Sequence, residues 1–485
     1  MDLSRIENFQ DAVVTVMGMG RYKQGSGLGA TKWLIRHGAQ VVITDLKDSL
    51  ELKESVDLVM EWYRTYREQY PDRQIYQPIF VLGEHRKEDF TNVDCVVQNP
   101  GVPSEADYVV AAKELGIPIE SDVSLFFRYY PHPIVAVTGT KGKTTTTLLV
   151  GEMLKSLDLA AITAGNIKAS PLDSLDDLLM KPSPTPIVIE FSSWMLESMP
   201  GVFSDMNKGP DVAVLTNVYP EHLGRYASFE AYVDSKRILF AHQTPEQKTV
   251  LNYDHPDVRA MEPEVKGSLV WFAREPLSHD GCYVVNGMVT WRQGGKDTPI
   301  IALDDVALGE HALENILSSV AVSVLRGVQP AAIATVLKTF TGAGDRQELV
   351  REVDEIMYIN DTAATNPEAA VVALNNFGSG QKKDVILLAG GAAHGVPFDR
   401  MADAAVEACR FVVLFPGEGS DALAAAINNR VTVERASSMH EAVQKARGEA
   451  KRGDIVLLSP GAAASGIFAT EFDRGEQFRE EVRNL

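Results

Sequence analysis

Ile134-Val-Ala-Val-Thr-Gly-Thr-Lys-Gly-Lys-Thr-Thr-Thr-Thr147 passes from a short apolar run into a turn with two glycines and on into a threonine-rich stretch. This is the pattern of a buried strand, a phosphate-binding turn and the first turns of a helix. It is close to G-x-x-x-x-G-K-[ST], with Val137 where the first glycine would stand. Gly139 and Gly142 let the turn bring backbone N–H groups toward phosphate oxygens. The helix that follows aims its positive end at the same anion. Lys143 can reach β- and γ-phosphates, and Thr144 can offer a hydroxyl to Mg²⁺. Thr138, Thr140, Lys141 and Thr145 complete the cradle. The competing reading is an ordinary Gly- and Thr-rich strand turn, which a Gly-Lys-Thr placed between strand and helix disfavours.

A second glycine turn lies about one domain length earlier, at Val13-Val-Thr-Val-Met-Gly-Met-Gly20. A helix-like segment to His37 and the run Val41-Val-Ile-Thr-Asp45 follow it. Gly18, Gly20 and Asp45 resemble a dinucleotide fingerprint, but Arg21-Tyr-Lys-Gln displaces the third glycine to Gly25. A diphosphate loop flanked by Arg21 and Lys23 fits better than a tight NAD turn, with Asp45 accepting hydrogen bonds from a ribose or base edge. A ligand-free helix-packing turn is the alternative. Further apolar runs at 79–82, 93–97 and 117–119 predict a parallel sheet with crossover helices, a Rossmann-like domain over 1–130.

Tyr129-Tyr-Pro-His-Pro133 reads as a linker. The second domain, 131–327, has strands expected at Ile134–Val137, Ile187–Phe191, Val212–Leu215 and Thr249–Leu251. Over 265–305 short alternating runs predict a small antiparallel patch, and Glu310–Leu325 a closing helix. A third αβ unit, 328–485, is expected to start near Val328, with strands at 356–359, 385–389, 411–415 and 454–458. The fold class is therefore α/β in three domains.

At 485 residues the chain is long enough for about two to four domains. A net charge of −20 disfavours a nucleic-acid backbone binder, which needs a basic face. Cys95, Cys282 and Cys409 show neither metal nor redox spacing and fit a reducing cytoplasm. No run approaches the apolar length of a membrane span, and the first residues have no secretory pattern.

Polar residues gather at the predicted strand ends, which is the ligand edge of an open αβ sheet. Glu190 ends Val188-Ile-Glu190, and Thr216-Asn217 is followed by Pro220-Glu-His222. Beside a phosphate turn, Glu190 and His222 could reach a metal. Lys236, on the next helix, reads by default as a solvated charge. In the third domain Asp361 and Asn366, Gly390-Gly391 and Ser459-Pro-Gly461 also follow strands. Strand-end sites in separate domains suit an interdomain cleft and a reaction joining two substrates with ATP.

Thr138–Thr144, Glu190-Phe-Ser-Ser-Trp-Met-Leu-Glu197, Thr216-Asn-Val-Tyr-Pro-Glu-His-Leu-Gly-Arg-Tyr226, Lys236, His311-Ala-Leu-Glu-Asn315, Asn360-Asp-Thr-Ala-Ala-Thr-Asn366 and Leu458-Ser-Pro-Gly-Ala-Ala-Ala-Ser465 together resemble the Mur ligase family, in motif order its glutamate-adding branch. The resemblance spans nearly the whole chain. It implies a Rossmann-like UDP-sugar domain, a central P-loop ATPase-like domain and a C-terminal Rossmann-like amino-acid domain. The implied activity is ATP-dependent ligation of glutamate, D-glutamate first, to UDP-N-acetylmuramoyl-L-alanine through an acyl phosphate. That step serves peptidoglycan precursor synthesis, and so cell-wall biogenesis, cell shape and division. Lys143, Glu190, His222 and Lys236 would be catalytic. Two Mg²⁺ ions would be held by Thr144, Glu190 and His222, and Lys236 fits the position that is N-carboxylated. Asn315, Arg346 and Asp361 resemble nucleotide contacts. Gly20, Arg21, Asp45, Lys47, Asn99, Asn166, Ser192, Thr365, His394, Ser465 and Phe472 resemble substrate contacts. The implied protein is a cytoplasmic monomer with neither nucleic-acid binding nor membrane insertion.

The chain departs from the family pattern around the amino acid. Thr362-Ala363 stands for Ser-Lys, and Gly390-Gly-Ala-Ala-His394 for Gly-Gly-x-x-Lys, without an Asp at Ala392. Ser465–Phe472 replaces the usual Ser-x-Asp-x-Phe-Lys-Asn-Phe, and His311-Ala312 replaces His-Asn. Fixed positive charge is thereby lost on the amino-acid side, where a charge-assisted contact contributes roughly 1.5–3 kcal/mol. Three other readings follow: a ligase for L-glutamate or another amine on this or a similar carboxylate, a non-catalytic nucleotide-binding regulator, and an NAD-dependent oxidoreductase.

Overall fold

The computed structural model describes the chain except residues 20–24, 158–160, 168–169, 222–223, 310–311, 341, 343, 379–381 and 394–395. It forms two compact units, Met1–Thr339 and Phe340–Leu485. Among the described residues no helix is long and apolar enough to cross a membrane.

The first unit carries two sheets. The five-stranded one runs Ile79–Leu82, Gln40–Asp45, Val13–Met17, Cys95–Gln98, Ile119–Glu120, all parallel. The central strand Val13–Met17 is almost wholly buried, as a parallel strand covered on both faces must be. The helix Ser26–Arg36 turns Leu28, Ala30, Trp33, Leu34 and Ile35 into the core.

The nine-stranded sheet runs Lys296–Ala302, Met288–Gln293, Gly281–Val285, Ser268–Ala273, Lys248–Asn252, Val212–Leu215, Ile134–Thr138, Ile187–Glu190, Ile162–Gly165. The spacing of 265–305 predicts a small antiparallel patch; the strands over 281–302 are antiparallel neighbours, and they extend the central sheet. Ser268–Ala273 and Gly281–Val285 join in parallel, and only the two pairings of Met288–Gln293, with Gly281–Val285 and Lys296–Ala302, are antiparallel. The closing helix is Leu313–Leu325, and residues 310–311 of the expected stretch lie outside the described residues. It packs on the helix Lys143–Lys155, as does the helix Pro330–Thr339. The sequence places the start of the third αβ unit near Val328. Ile333 and Leu337 of that helix are buried, and the first unit runs to Thr339.

One apolar cluster lies under both sheets, joining Val14, Trp33 and Ile43 with Ile134, Ile189, Leu215 and Leu251. Asp176 fastens the join. It accepts from Trp33 Nε1 (3.1 Å), lies 2.9 Å from His37 Nε2 and pairs with Arg36 at 3.0 Å.

The second unit has a six-stranded sheet, Glu348–Val353, Ile356–Asn360, Ile455–Leu458, Val385–Ala389, Cys409–Leu414, Thr432–Arg435. It is parallel except for the edge strand Glu348–Val353. Apolar side chains cover both faces.

Candidate active site

The central cradle forms as the spacing predicts. Ile134–Thr138 is buried throughout, and the helix Lys143–Lys155 starts directly after Gly142. Gly139 (φ +152°) and Gly142 (φ +82°) adopt backbone that side chains rarely tolerate. A Cβ on Gly139 would lie 1.9 Å from Thr216 Oγ1, and one on Gly142 2.1 Å from Asn315 Oδ1. The turn is therefore fitted against two polar side chains. Gly139→Ala is expected to destabilise the chain by about 1–3 kcal/mol, read as a lower urea midpoint, and to weaken ATP binding.

Neighbouring strand ends hold the turn open. Thr140 N donates to Asn217 O (2.9 Å), and Lys141 N to Asn217 Oδ1 (2.8 Å). Thr216 Oγ1 donates to Lys141 O (2.7 Å), and Asn252 Nδ2 to Thr216 O (2.9 Å). Thr138 Oγ1 donates to Phe191 O, fixing the strand beside Glu190. Thr144 and Thr145 occupy the helix's first turn, half-buried.

Two lysines converge on one carbonyl. Lys143 Nζ donates to Gly139 O (3.0 Å) and Thr140 O (2.8 Å), and Lys236 Nζ donates to Gly139 O (2.9 Å). Lys236 is not the solvated charge that lysine usually is. It is 1% exposed, with its ammonium 4.6 Å from the centre of the Tyr232 ring. Burial pushes its pKa well below the lysine range. The Lys143 charge adds to this, and Glu221 and Glu190 oppose it.

Glu190 ends its strand beside Val137 and is 1% exposed. Oε1 accepts from Asn166 Nδ2 (2.9 Å), while Oε2 is buried with no hydrogen-bond partner among the described residues. A buried carboxylate oxygen left over beside a phosphate turn fits a hard divalent cation. Among the described residues no three acidic, imidazole or thiol side chains form a ready cluster. Ser192 caps the helix Ser193–Leu196 by accepting from Met195 N. His222 lies outside the described residues.

In the five-stranded sheet, both carboxylate oxygens of Asp45 hold backbone, accepting from Met19 N (2.9 Å) and Lys47 N (3.0 Å). Asn99 Nδ2 donates to Gly18 O (3.2 Å). Asp45, Lys47 and Asn99 thus border one strand-end loop; Gly20 and Arg21, expected there, lie outside the described residues.

In the second unit Asp361 is buried at the end of Ile356–Asn360. Burial pushes its pKa up to about 7, against hydrogen bonds from Ser459 Oγ (2.7 Å) and Gln347 N (3.2 Å) and the charge of exposed Arg346. Thr365 N donates to Ala363 O within the same turn. Ser465 Oγ donates to Pro416 O (3.4 Å), and Phe472 is half-buried in the first turn of Glu471–Arg483. His394 lies outside the described residues.

Sequence reasoning gave no role to Tyr232, Asn252 or Arg474. Tyr232 stands four residues before Lys236, the helical spacing that places two side chains on one face. Asn252 sits at a strand end like Asn217. Arg474 had no such signal. It is fully buried, donates to Thr362 Oγ1 and O (3.0 Å each) and to Ala462 O (3.3 Å), and burial lowers its pKa to about 10. It ties the turn at Thr362, where the chain departs from the family pattern, to the turn at Ala462.

A family model for the Mur ligase middle domain matches residues 137–323, and one for the Mur ligase glutamate ligase domain matches 345–461. The chain is 39% identical to a UDP-N-acetylmuramoylalanine--D-glutamate ligase of Roseiflexus sp. (strain RS-1), covering 97% of this chain and 98% of that one. It is 34% identical to a protein of the same description from Pelotomaculum thermopropionicum, over 99% of each. Among solved structures, UDP-N-acetylmuramate-alanine ligase MurC from Thermotoga maritima aligns with a TM-score of 0.57 at 17% identity, over 98% of this chain and 99% of that one. MurF ligase from Thermotoga maritima, solved with ADP, aligns with a TM-score of 0.53 at 16% identity, over 100% and 99%. These structures share the three-domain α/β fold.

Proposed function

This chain belongs to the Mur ligase family and is an ATP-dependent ligase, and on that premise we propose that it joins D-glutamate to UDP-N-acetylmuramoyl-L-alanine in the cytoplasm, as a monomer. The observation that carries the reading is the phosphate turn flanked by Glu190 on one side and by two converging lysines on the other. It supports activation of a carboxylate by phosphoryl transfer. The acceptor carboxylate takes the γ-phosphoryl group of ATP, and the glutamate amine then displaces phosphate from the acyl carbon to form the amide.

Lys143 neutralises charge developing on the transferring phosphoryl group. Glu190 and Thr144 would hold Mg²⁺ and His222 a second ion, which supply charge neutralisation at the phosphate oxygens. Lys236 supports N-carboxylation on chemical grounds. Only a neutral amine adds to CO₂, and its buried site favours the neutral form. We assign the UDP-sugar to residues 1–130, around Asp45, Lys47 and Asn99. ATP falls to the central sheet with Asn315, and the amino acid to the second unit around Thr365, Ser465 and Phe472, with Asp361 and Arg346 as nucleotide contacts.

Phosphate release with ATP, Mg²⁺, UDP-N-acetylmuramoyl-L-alanine and a panel of amino acids in both enantiomers tests the reading. D-glutamate is expected to give the fastest turnover. Faster turnover with L-glutamate or another amine would move the chain to another ligase specificity, and no turnover with any would end the proposal.

A further inference from the structure

Three adjacent parallel strands, Ile134–Thr138, Val212–Leu215 and Lys248–Asn252, end at one edge of the central sheet. The first runs into the phosphate turn. The second leads to Tyr219, whose N–H donates to Thr140 Oγ1 (2.9 Å) and so is fastened to that turn. The third leads to His255, which meets the Tyr219 ring edge-on with centroids 4.9 Å apart. Large aromatic side chains are mostly inside this protein, yet Tyr219 is 43% exposed. His255 beside it is 9% exposed, and its buried Nδ1 has no hydrogen-bond partner among the described residues. The imidazole offers its ring as a packing partner for Tyr219.

The surroundings are polar and lead back to the cradle. Glu314 and Arg274, paired at 3.6 Å, are the charged groups facing the Tyr219 hydroxyl. Asn315, next to Glu314, abuts Gly142 of the phosphate turn. Glu190 and Asn166 lie on the other side of the cradle strand, toward the opposite sheet edge. A nucleoside triphosphate whose γ-phosphate faces Glu190 must therefore extend its nucleoside toward Tyr219.

We propose that Tyr219, backed by His255, is the stacking platform for the purine base of ATP, with Glu314 and Asn315 offering hydrogen-bond groups at the base's edge. Aromatic faces bind bases through their π-surface, and the contribution is carried by the ring rather than by the hydroxyl. The proposal rests on the ligase reading, since it takes the bound triphosphate from it.

Calorimetric titration of the full chain with ATP and with inorganic tripolyphosphate tests it. Tyr219→Ala is expected to weaken ATP about tenfold or more and to leave tripolyphosphate unchanged; Tyr219→Phe is expected to keep wild-type ATP affinity. Tyr219→Leu, which keeps apolar bulk without the ring, serves if the alanine variant folds poorly, with the same expectation. ATP affinity unchanged in the ring-less variants would overturn the proposal. So would an equal loss for tripolyphosphate, because the ring would then only shape the phosphate turn. A wild-type chain that binds neither compound would overturn the ligase reading itself, and the platform with it.

Discussion

Lys143→Met is expected to lower turnover about 10²–10³-fold while leaving the chain folded. The ammonium donates to carbonyls of its own turn, Gly139 and Thr140, and Gly139 O keeps Lys236 as a second donor. Methionine preserves the unbranched stem and suits the first position of a helix, so the backbone of the cradle has little reason to move. The positive charge that meets a transferring phosphoryl group is lost, and a charge fixed in a partly buried site contributes far more to a transition state than one in water. Single-turnover phosphate release beside a thermal melt measures both halves of the expectation. Turnover within about tenfold of wild type would remove Lys143 from the chemistry.

The second large effect runs in opposite directions for activity and stability. Lys236→Met is expected to abolish ligation and raise the melting temperature at neutral pH. The buried site holds the lysine pKa well below its ordinary range, so the unfolded chain binds a proton that the folded chain releases. Wherever the unfolded state holds more protons, stability rises with pH. At neutral pH the residue therefore weighs against folding, and this burden lifts as pH climbs through the ordinary lysine range. Methionine removes the burden, and Gly139 O still accepts from Lys143. Melts of both proteins in bicarbonate-free buffer from neutral pH to about pH 10 should show the variant's advantage shrinking as pH rises. A gap that widens with pH, or a variant that melts lower throughout, would contradict the assigned burial effect.

What could be read from the chain followed from how strongly each segment is constrained. The cradle was legible because a buried parallel strand, two glycines and a Gly-Lys-Thr each answer a separate physical demand. Glu190 and Asn217 were legible because a polar residue closing an apolar run stands out. The edge strands were not. Glu348–Val353 and Thr432–Arg435 are largely exposed and rich in charge, so neither carries the apolar run that marks a strand. Ile162–Gly165 is too short and too near a glycine to stand out from a loop. For the patch at 265–305, alternation reports half-exposed strands but not which sheet they join. Lys236 was the sharpest limit. Nothing local separates a buried lysine from a surface one on a helix; only the family resemblance changed its reading, and the structure then supplied its partners. Arg474 shows the same limit, since its partners lie more than a hundred residues away or across a turn.

The cluster that joins Trp33 and Ile43 to Ile189 and Leu251, closed by Asp176, bears on how such a chain can be recombined. A linker at Tyr129–Pro133 invites a cut there, as though the part carrying the five-stranded sheet could be lifted out and exchanged. It cannot be lifted out cleanly, because half of its apolar floor belongs to residues beyond the linker. A chimera that respects this architecture exchanges everything up to Thr339 as one piece. A graft of the first sheet alone would have to bring the helix Leu172–Leu179 with it.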